Sequence, residues 1–299
     1  MSSFVMDYPA LAAVAAVVRE GSFERAAVSL GITPSAVSQR VRGLEERVGA
    51  MLIVRAQPCQ PTDLGHRLCA HFDRVRLLET ELTPDLPERA EAEPPRVSLK
   101  VAVNSDSLAT WFPQAMSAFN LTTGIPLDLT LDDESHTADR LRSGEVMAAV
   151  TADPSAVPGC RTYSLGALRY AACASPAFVD RFFPDGVTAV ALARAPCLRF
   201  DRRDALQARW VRETLGIELN APTYTVASTH AFLDLAAAGL AWGMQPVALA
   251  HPLLANGRLI ELKLGTRIDV SLYWIVARLP VASLDRLTNA VRQTADMLS

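Results

Sequence analysis

Residues 21–45 read GSFERAAVSLGITPSAVSQRVRGLE and contain two helical patterns separated by a glycine. In the first pattern, over 23–30, apolar side chains recur at the i, i+3, i+4 and i+7 spacing of an amphipathic helix. Gly31 supplies the turn, and Thr33 can cap a second helix that begins with Pro34, where the missing N–H costs nothing. Two helices joined by such a tight turn predict a helix-turn-helix unit.

A further amphipathic helix precedes this unit. The same apolar spacing occurs upstream at Leu11, Val14, Ala15 and Val18. A turn at Gly21 separates this helix from the next one, and Ser22 can cap the latter. The first 60 residues are therefore predicted to fold as short helices with tight turns.

The last helix of this unit has a polar stripe opposite its apolar side. Val37, Val41 and Leu44 fall together on a helical wheel. Away from them lie Ser35, Ser38, Gln39 and Arg42. Hydroxyl, amide and guanidinium groups contact base edges and phosphates when a helix enters the major groove of DNA. A solvated surface helix has a similar composition, but the helix-turn-helix spacing favours a DNA-reading face.

A longer helix is predicted from residue 62 to about residue 83. Its apolar residues recur every three or four positions, at Leu64, Leu68, Phe72, Val75, Leu78 and Leu82. Because the small N-terminal unit offers this stripe no large partner, we expect it to pair with the same helix of a second chain. A helix lying on its own domain is the alternative. Prolines among acidic and small residues at 84–96 then indicate a linker, so a new domain begins near Val97.

The rest of the chain alternates apolar runs with helical stretches. This alternation predicts a parallel sheet with crossover helices, arranged as two small doubly wound lobes. The strand candidates are 97–103, 127–131, 146–150, 170–174, 195–200, 224–227 and 272–277. The helical stretches include 108–119 and 138–143.

The composition limits the functional classes to which the chain can belong. A chain of 299 residues with net charge −3 has room for about two domains, and any nucleic-acid binding must rest on a local patch. Its five cysteines show no C-x-x-C spacing, which argues against a disulfide framework and a zinc site. Because catalytic motifs such as H-E-x-x-H, G-x-S-x-G and the Walker sequence are absent, we expect no enzyme and no cofactor. Neither a signal peptide nor a membrane span is recognised, which favours the cytoplasm.

The motif at 21–45 resembles the N-terminal motif of LysR-type transcriptional regulators. The similarity continues through Gly49, Leu52, Val54, Arg55 and residues 62–65. It implies an α-helical winged helix-turn-helix, a long linker helix and a two-lobed α/β effector domain like that of periplasmic binding proteins. The implied boundaries are 1–61 for the winged unit, 62–96 for the linker (dimerisation) helix and hinge, and 97–299 for the effector domain. Lobe 1 would cover about 97–158 and 267–299, and lobe 2 about 159–266.

The resemblance also implies which residues contact DNA. They are Ser22, Thr33, Pro34, Ser35, Ser38, Gln39, Arg42, Arg55 and Thr62. In the family, the Arg55 position meets the phosphate backbone. A departure lies at 57–60, where uncharged residues replace the usual second wing arginine, so phosphate contact at the wing is expected to be weaker.

Within the family, residues 103–113 and 132–137 are most similar to the ArgP and LysG branch. That branch regulates the export of lysine and arginine. The resemblance therefore implies an activator that responds to a basic amino acid and controls an exporter gene. Its partners would be operator DNA, RNA polymerase and further copies of the chain, as a dimer or tetramer, with no membrane partner.

The residues themselves favour such a ligand. The loop at 104–107 follows a strand and opens a helix, so its N–H groups and hydroxyls can receive a carboxylate. Asp106 and the acids at 132–134 supply negative charge for an ammonium or guanidinium group, although helix capping is the alternative role of each. The predicted effector residues are Asn104, Ser105, Asp106, Ser107, Thr110, Trp111, Asp132, Asp133, Glu134, Asp201, Ser228 and Thr229.

Two other functions remain open at this point. One is a regulator of the same architecture that senses redox state through a disulfide between Cys160 and Cys173. The other is a solute-binding protein or small enzyme that uses the two-lobed fold without touching DNA.

Overall fold

The computed structural model of the protein describes residues 6–82, 97–131 and 134–296, with residues 134–136 described in their backbone only. Its helices are α1 (Tyr8–Glu20), α2 (Phe23–Leu30), α3 (Pro34–Val48), α4 (Asp63–Leu82), α5 (Ser105–Thr110), α6 (Phe112–Thr123), α7 (Glu134–Ser143), α8 (Pro176–Phe182), α9 (Ala189–Arg194), α10 (Leu206–Leu215), α11 (Thr229–Ala237), α12 (Val247–Ala255) and α13 (Ala282–Ala295). Its strands are β1 (Ile53–Val54), β2 (Gln60–Pro61), β3 (Leu99–Val103), β4 (Leu127–Leu131), β5 (Ala148–Thr151), β6 (Cys160–Ala174), β7 (Cys197–Arg199), β8 (Thr223–Thr225), β9 (Gly243–Pro246), β10 (Ile260–Glu261) and β11 (Ile268–Ala277). None of the helices in these ranges is long and apolar enough to cross a membrane.

The N-terminal head packs α1, α2 and α3 around one apolar core and adds a small β-wing. The caps lie where the sequence predicts them: Ser22 accepts the backbone N–H of Arg25, and Thr33 accepts that of Ala36. The wing is the antiparallel pair of β1 and β2. Glu45, near the end of α3, accepts the backbone N–H of Leu52 at 2.8 Å and so ties the wing to α3. The predicted winged helix-turn-helix is confirmed.

The wing also anchors the start of α4. The Thr62 hydroxyl donates to the carbonyl of Met51 at 2.9 Å and accepts the N–H of Gly65 at 3.1 Å, which makes it the cap of this helix. A Cβ on Gly65 would lie 2.1 Å from the carbonyl oxygen of Leu52. Only glycine therefore allows α4 to pack this closely on the wing.

The apolar residues of α4 divide between two partners in the same chain. Leu64, Leu68 and Phe72 pack against the core of the head, and Leu77 is fully buried in the core of the C-terminal domain. The expectation that the stripe has no large partner in the head is therefore wrong for its first half. A head of about 60 residues is too small to close its core alone, so α4 covers it. The exposed apolar residues of α4 are Leu78 and Leu82, at 36% and 60%.

The C-terminal domain is built on a seven-stranded mixed sheet in the order β10-β6-β11-β5-β3-β4, with β9 also paired to β6. The strands β5, β3 and β4 are parallel, as the alternating pattern predicts. The strands β6 and β11 are antiparallel to each other and are paired from Ile268 with Tyr170 to Ala277 with Cys160. A separate parallel pair, β7 and β8, belongs to the second lobe. The predicted two-lobed α/β fold is confirmed, but its long connecting strands are antiparallel rather than parallel.

Several elements differ from their predicted bounds, and two of the differences have a clear physical reason. The helix predicted over 108–119 is two helices, α5 and α6, separated at Trp111. Pro113 has no N–H to donate and fits only in the first turn of a helix, so a new helix starts just before it. The strand predicted at 170–174 is the end of the 15-residue β6. The earlier part of β6 is largely exposed and contains Gly166 at φ 85°, so it lacks the continuous apolar run of a buried strand.

Candidate nucleic-acid interface and interlobe site

The predicted polar stripe of α3 faces outward. Ser35, Gln39 and Arg42 are exposed and Ser38 is half-buried, whereas Val37, Val41 and Leu44 are buried in the head. Within the described part of the chain, no hydrogen bond or ion pair engages the side chains of Ser38, Gln39 or Arg42. The stripe therefore presents free hydroxyl, amide and guanidinium groups.

The other arginines of α3 face the start of α1. Arg47 donates to the Asp7 carboxylate at 2.6 Å. This hydrogen bond, with one from the backbone N–H of Ala10 and the charges of Arg47 and Arg40, lowers the pKa of Asp7 below its ordinary value. These two arginines therefore help to hold α3 on α1, while Arg42 stays on the open face.

Arg55 of the wing lies beside α2. Its guanidinium is 5.0 Å from the centre of the Phe23 ring, a cation–π contact that holds an exposed side chain next to the start of the helix-turn-helix. Other predicted contact residues use their hydroxyls within the fold. Ser22, Thr33 and Thr62 are helix caps. They position the backbone ends at which α2, α3 and α4 begin.

Asp106, on the first turn of α5, is the centre of the interlobe site. Its Oδ2 accepts the hydroxyl of Tyr170 at 2.5 Å, and its Oδ1 accepts the hydroxyl of Thr229 at 2.7 Å. Tyr170 lies on β6 and Thr229 opens α11, so the two donors come from elements distant from α5 in the sequence. Both donors are buried.

The Asp106 carboxyl lacks a positively charged partner among the described residues. Burial raises its pKa above the ordinary value, the two hydroxyl donors lower it, and the negative charge of Asp204 raises it again. The net effect is a pKa of Asp106 above its ordinary value. Among the described residues, this partly buried acid is therefore compensated by neutral hydrogen-bond donors alone.

The remaining predicted residues of the α5 region take several roles. Asn104 caps α5 by accepting the N–H of Ser107 at 2.9 Å, and Thr110 donates back to the carbonyl of Asp106 at 2.6 Å. The Ser107 hydroxyl and the Trp111 indole N–H are buried and have no hydrogen-bond partner in the described part of the chain. Trp111 packs edge-on against Phe112 in the core, so it supports the site from behind. Ser105 is half-exposed at the start of α5.

On the second lobe, Asp201 is turned into its own loop. It accepts the N–H groups of Arg203 and Asp204 at 2.7 and 2.9 Å. Ser228 caps α11 by accepting the N–H of Ala231. Asp132 and Asp133 lie outside the described residues, as does the side chain of Glu134. Sequence reasoning missed Tyr170 and Asp204 as members of this site.

The linker helix α4 contacts the same lobe as Asp106. Asp73 pairs with Lys100 of β3, and the Glu81 carboxylate accepts the N–H of Ser283 at 2.9 Å. The helix α13 has no side-chain cap of its own, so Glu81 supplies one from the linker. The prolines predicted to form the hinge lie outside the described residues.

The cysteines do not support the redox alternative. Cys160 and Cys173 lie thirteen residues apart on the continuous strand β6, which is about 40 Å at 3.3 Å per residue. A disulfide needs Cα atoms within about 7 Å, so the proposed pair is excluded. Burial also raises the pKa of Cys173 to about 12, which leaves almost no reactive thiolate. The described residues contain no group of three or more His, Cys, Asp or Glu arranged to hold a metal ion.

Two family models match the chain and together cover nearly all of it. One describes a bacterial regulatory helix-turn-helix protein of the lysR family and matches residues 9–66. The other describes a LysR substrate binding domain and matches residues 92–298. The chain is a LysR-type transcriptional regulator. A solute-binding protein or enzyme without a DNA-binding head is thereby excluded.

Similar proteins place the regulator in the ArgP and LysG branch. It is 45% identical over 270 residues to ArgP of Pseudomonas aeruginosa, covering 90% of this chain and 89% of that one. It is 42% identical over 293 residues to LysG of Mycobacterium tuberculosis, covering 98% and 95%.

Solved structures give the same assignment. ArgP from Mycobacterium tuberculosis is 41% identical and superposes with a TM-score of 0.80 over 97% of this chain and 98% of that one. Full-length LysG from Corynebacterium glutamicum with bound effector Arg is 37% identical, with a TM-score of 0.70 over 98% and 99%. The predicted resemblance to this branch is confirmed.

Proposed function

We propose that this regulator binds a basic amino acid between its lobes and, in response, activates transcription from the operator that α3 reads. The observation that carries the proposal is Asp106. Its carboxyl is partly buried and is given hydroxyl donors from β6 and α11, but no cation, by the described residues.

A cationic ligand fits this environment better than a neutral one. Desolvating a carboxylate costs several kcal/mol unless a charge partner is supplied, and here the negative charge of Asp204 adds to that cost. The side-chain cation of lysine or arginine offsets both charges, whereas leucine leaves them uncompensated. The Corynebacterium glutamicum relative, which carries Arg as its effector, supports this ligand class.

The ligand's carboxylate would be received at the start of α5. The buried Ser107 hydroxyl lacks a partner in the described region, and Ser105 offers a second hydroxyl beside it. Asn104 and Thr110 fix the backbone of this turn, and Trp111 packs behind it. The ligand set proposed from the sequence also includes Asp132, Asp133, Glu134, Asp201, Ser228 and Thr229.

On DNA, the exposed stripe of α3 would read the major groove. Ser35, Ser38, Gln39 and Arg42 are the proposed base or phosphate contacts, and Arg55 of the wing meets a phosphate. Ser22, Thr33 and Thr62 would fix the helix starts that they cap, so that the remaining N–H groups of each first turn can meet phosphates. Pro34, which has no N–H of its own, opens α3 at this surface.

Coupling between the two sites would run through β3 and α4. The strand β3 carries Lys100, which pairs with Asp73 of the linker helix, and it ends one residue before α5, the helix that bears Asp106. Closure of the cleft on the ligand would move this strand against α4 and change how a dimer or tetramer presents its heads. The regulated gene would encode an amino-acid exporter, with RNA polymerase as the partner.

Binding to DNA with and without ligand tests the proposal. A duplex selected from a random pool by repeated binding serves as the operator, and its affinity for the full-length protein is measured by fluorescence anisotropy. Arginine or lysine should change that affinity by a factor of about 5 to 150, the usual range of such coupling, and glutamate should not. If none of arginine, lysine and glutamate changes the affinity of the protein for the operator, the proposal is contradicted.

A further inference from the structure

The carboxylate of Asp106 is held by two hydroxyl donors, one on each of its oxygens. One oxygen receives Tyr170 at 2.5 Å and the other receives Thr229 at 2.7 Å. A carboxylate offers about four acceptor positions, so these two bonds leave roughly half of them for a ligand. The two donors therefore fix the orientation of the carboxylate and leave some of its acceptor positions open.

Both donors belong to elements other than α5. Tyr170 is on β6, and Thr229 is the first residue of α11. Tyr170 and Thr229 are each only about 5–6% exposed, so these bonds are shielded from water. Hydrogen bonds to a charged group are stronger than those between neutral groups, and they hold their geometry where water cannot compete.

We propose that Tyr170 and Thr229 are positioning residues of the effector site, which hold the Asp106 carboxylate ionised and oriented to receive the cationic group of the ligand. This inference rests on the proposed function and adds to it the residues that set the selectivity for cations. Without the two donors, burial would favour the neutral acid, and a neutral acid cannot compensate a cation.

A pH profile distinguishes this role from a merely structural one. The charged or titratable residues on or beside the elements around Asp106 are Arg169, Asp204, His230, Asp234 and His251. Arg169 is paired with Asp269, and among the described residues the charge that acts on Asp106 is that of Asp204. Each comparison is repeated in a His230→Gln background, which removes the imidazole next to Thr229.

The experiment measures the affinity of the full-length protein for L-arginine by calorimetry between about pH 5.5 and 8.5. We expect Tyr170→Phe and Thr229→Val to weaken binding at pH 7 by about tenfold or more, and to move the acid limb of the profile to higher pH. Thr229→Ser, which keeps the hydroxyl, should restore the wild-type profile. Tyr163→Phe changes the other tyrosine of β6 and should leave the profile unchanged.

Wild-type affinity and an unshifted profile in Tyr170→Phe would overturn the inference, as would weaker binding without any shift of the acid limb. If Tyr170→Phe does not fold, the pair Thr229→Val and Thr229→Ser decides by the same criteria. A wild-type protein that binds neither arginine nor lysine at any pH contradicts the proposed function and this inference with it. Wild-type binding with unaltered variants contradicts this inference alone.

Discussion

The Asp73 carboxylate of the linker helix and the Lys100 ammonium of strand β3 form an ion pair, with Oδ2 and Nζ 2.7 Å apart. Their side chains are 30% and 37% exposed, so the pair contributes less than about 1 kcal/mol to stability. Its position matters more than its strength. Lys100 lies near the start of the strand whose far end leads into Asp106, so this contact joins the linker helix to the ligand site.

Removing this contact should separate ligand binding from its effect on DNA. We expect Lys100→Met to shift the melting temperature by no more than a few degrees and to keep arginine affinity, because neither core nor site is changed. The arginine-induced change in operator affinity should fall at least several-fold. Anisotropy titrations check this, with Lys263→Met of the second lobe as the matched control. The double variant Asp73→Lys/Lys100→Asp should regain part of the coupling; full coupling in Lys100→Met would argue against this route.

The two exposed arginines of the head should differ in what they contribute. Arg42→Ala is expected to cost about 1–3 kcal/mol on the selected operator and less on random DNA, since it lies on the base-reading stripe. Arg55→Ala should weaken binding to all sequences alike and lower the salt slope by about one unit. Gel-shift titrations at several salt concentrations measure both effects. Arg212→Ala, on α10 in the effector domain, is the control, and unchanged operator affinity in Arg42→Ala would refute the assignment.

Ionisation of Asp106 should destabilise the protein when no ligand is bound. Folding raises the pKa of Asp106 above its ordinary value of 3.8. The protonated acid therefore stabilises the fold fully below pH 3.8, and this stabilisation is lost as the pH rises through the raised pKa. Asp106→Asn cannot ionise, so it should melt a few degrees higher than wild type at pH 7, with the difference vanishing toward pH 3.8. Thermal unfolding monitored by circular dichroism checks this. A variant less stable than wild type at pH 7 would show that the charged form is favoured.

Assembly should depend on the exposed end of α4. Leu78 and Leu82 remain exposed at 36% and 60% after the rest of the apolar stripe has packed within the chain. We expect the wild-type protein to be a dimer or tetramer by light scattering, and Leu78→Glu/Leu82→Glu to shift it toward the monomer because buried carboxylates oppose the contact. Leu264→Glu, which changes an even more exposed leucine outside α4, at 81%, should keep the wild-type mass. A wild-type monomer at micromolar concentration would contradict this prediction.

The head was predictable because its signals are local. Caps such as Ser22 and Thr33, and apolar repeats three and four residues apart, specify helices without knowledge of the rest of the chain. The site was predictable only in part. Thr229 was predicted through the family resemblance, whereas Tyr170 was missed because it lies 64 residues from Asp106 and no periodicity reports a contact of that separation. The contribution of α4 to both domains was missed for the same reason.

Discrimination among amino acids by the wild-type protein tests the central claim most directly. Calorimetric titrations of the full-length protein with arginine, lysine, leucine and glutamate at pH 7 should show binding of the two cationic amino acids at least about tenfold tighter than that of leucine, and none of glutamate. Asp106→Ala and Glu134→Ala should lose arginine binding while they still bind the operator, because the two functions lie in separate domains. Leucine binding as tight as arginine binding, or full arginine affinity in both alanine variants, would contradict a basic amino-acid effector.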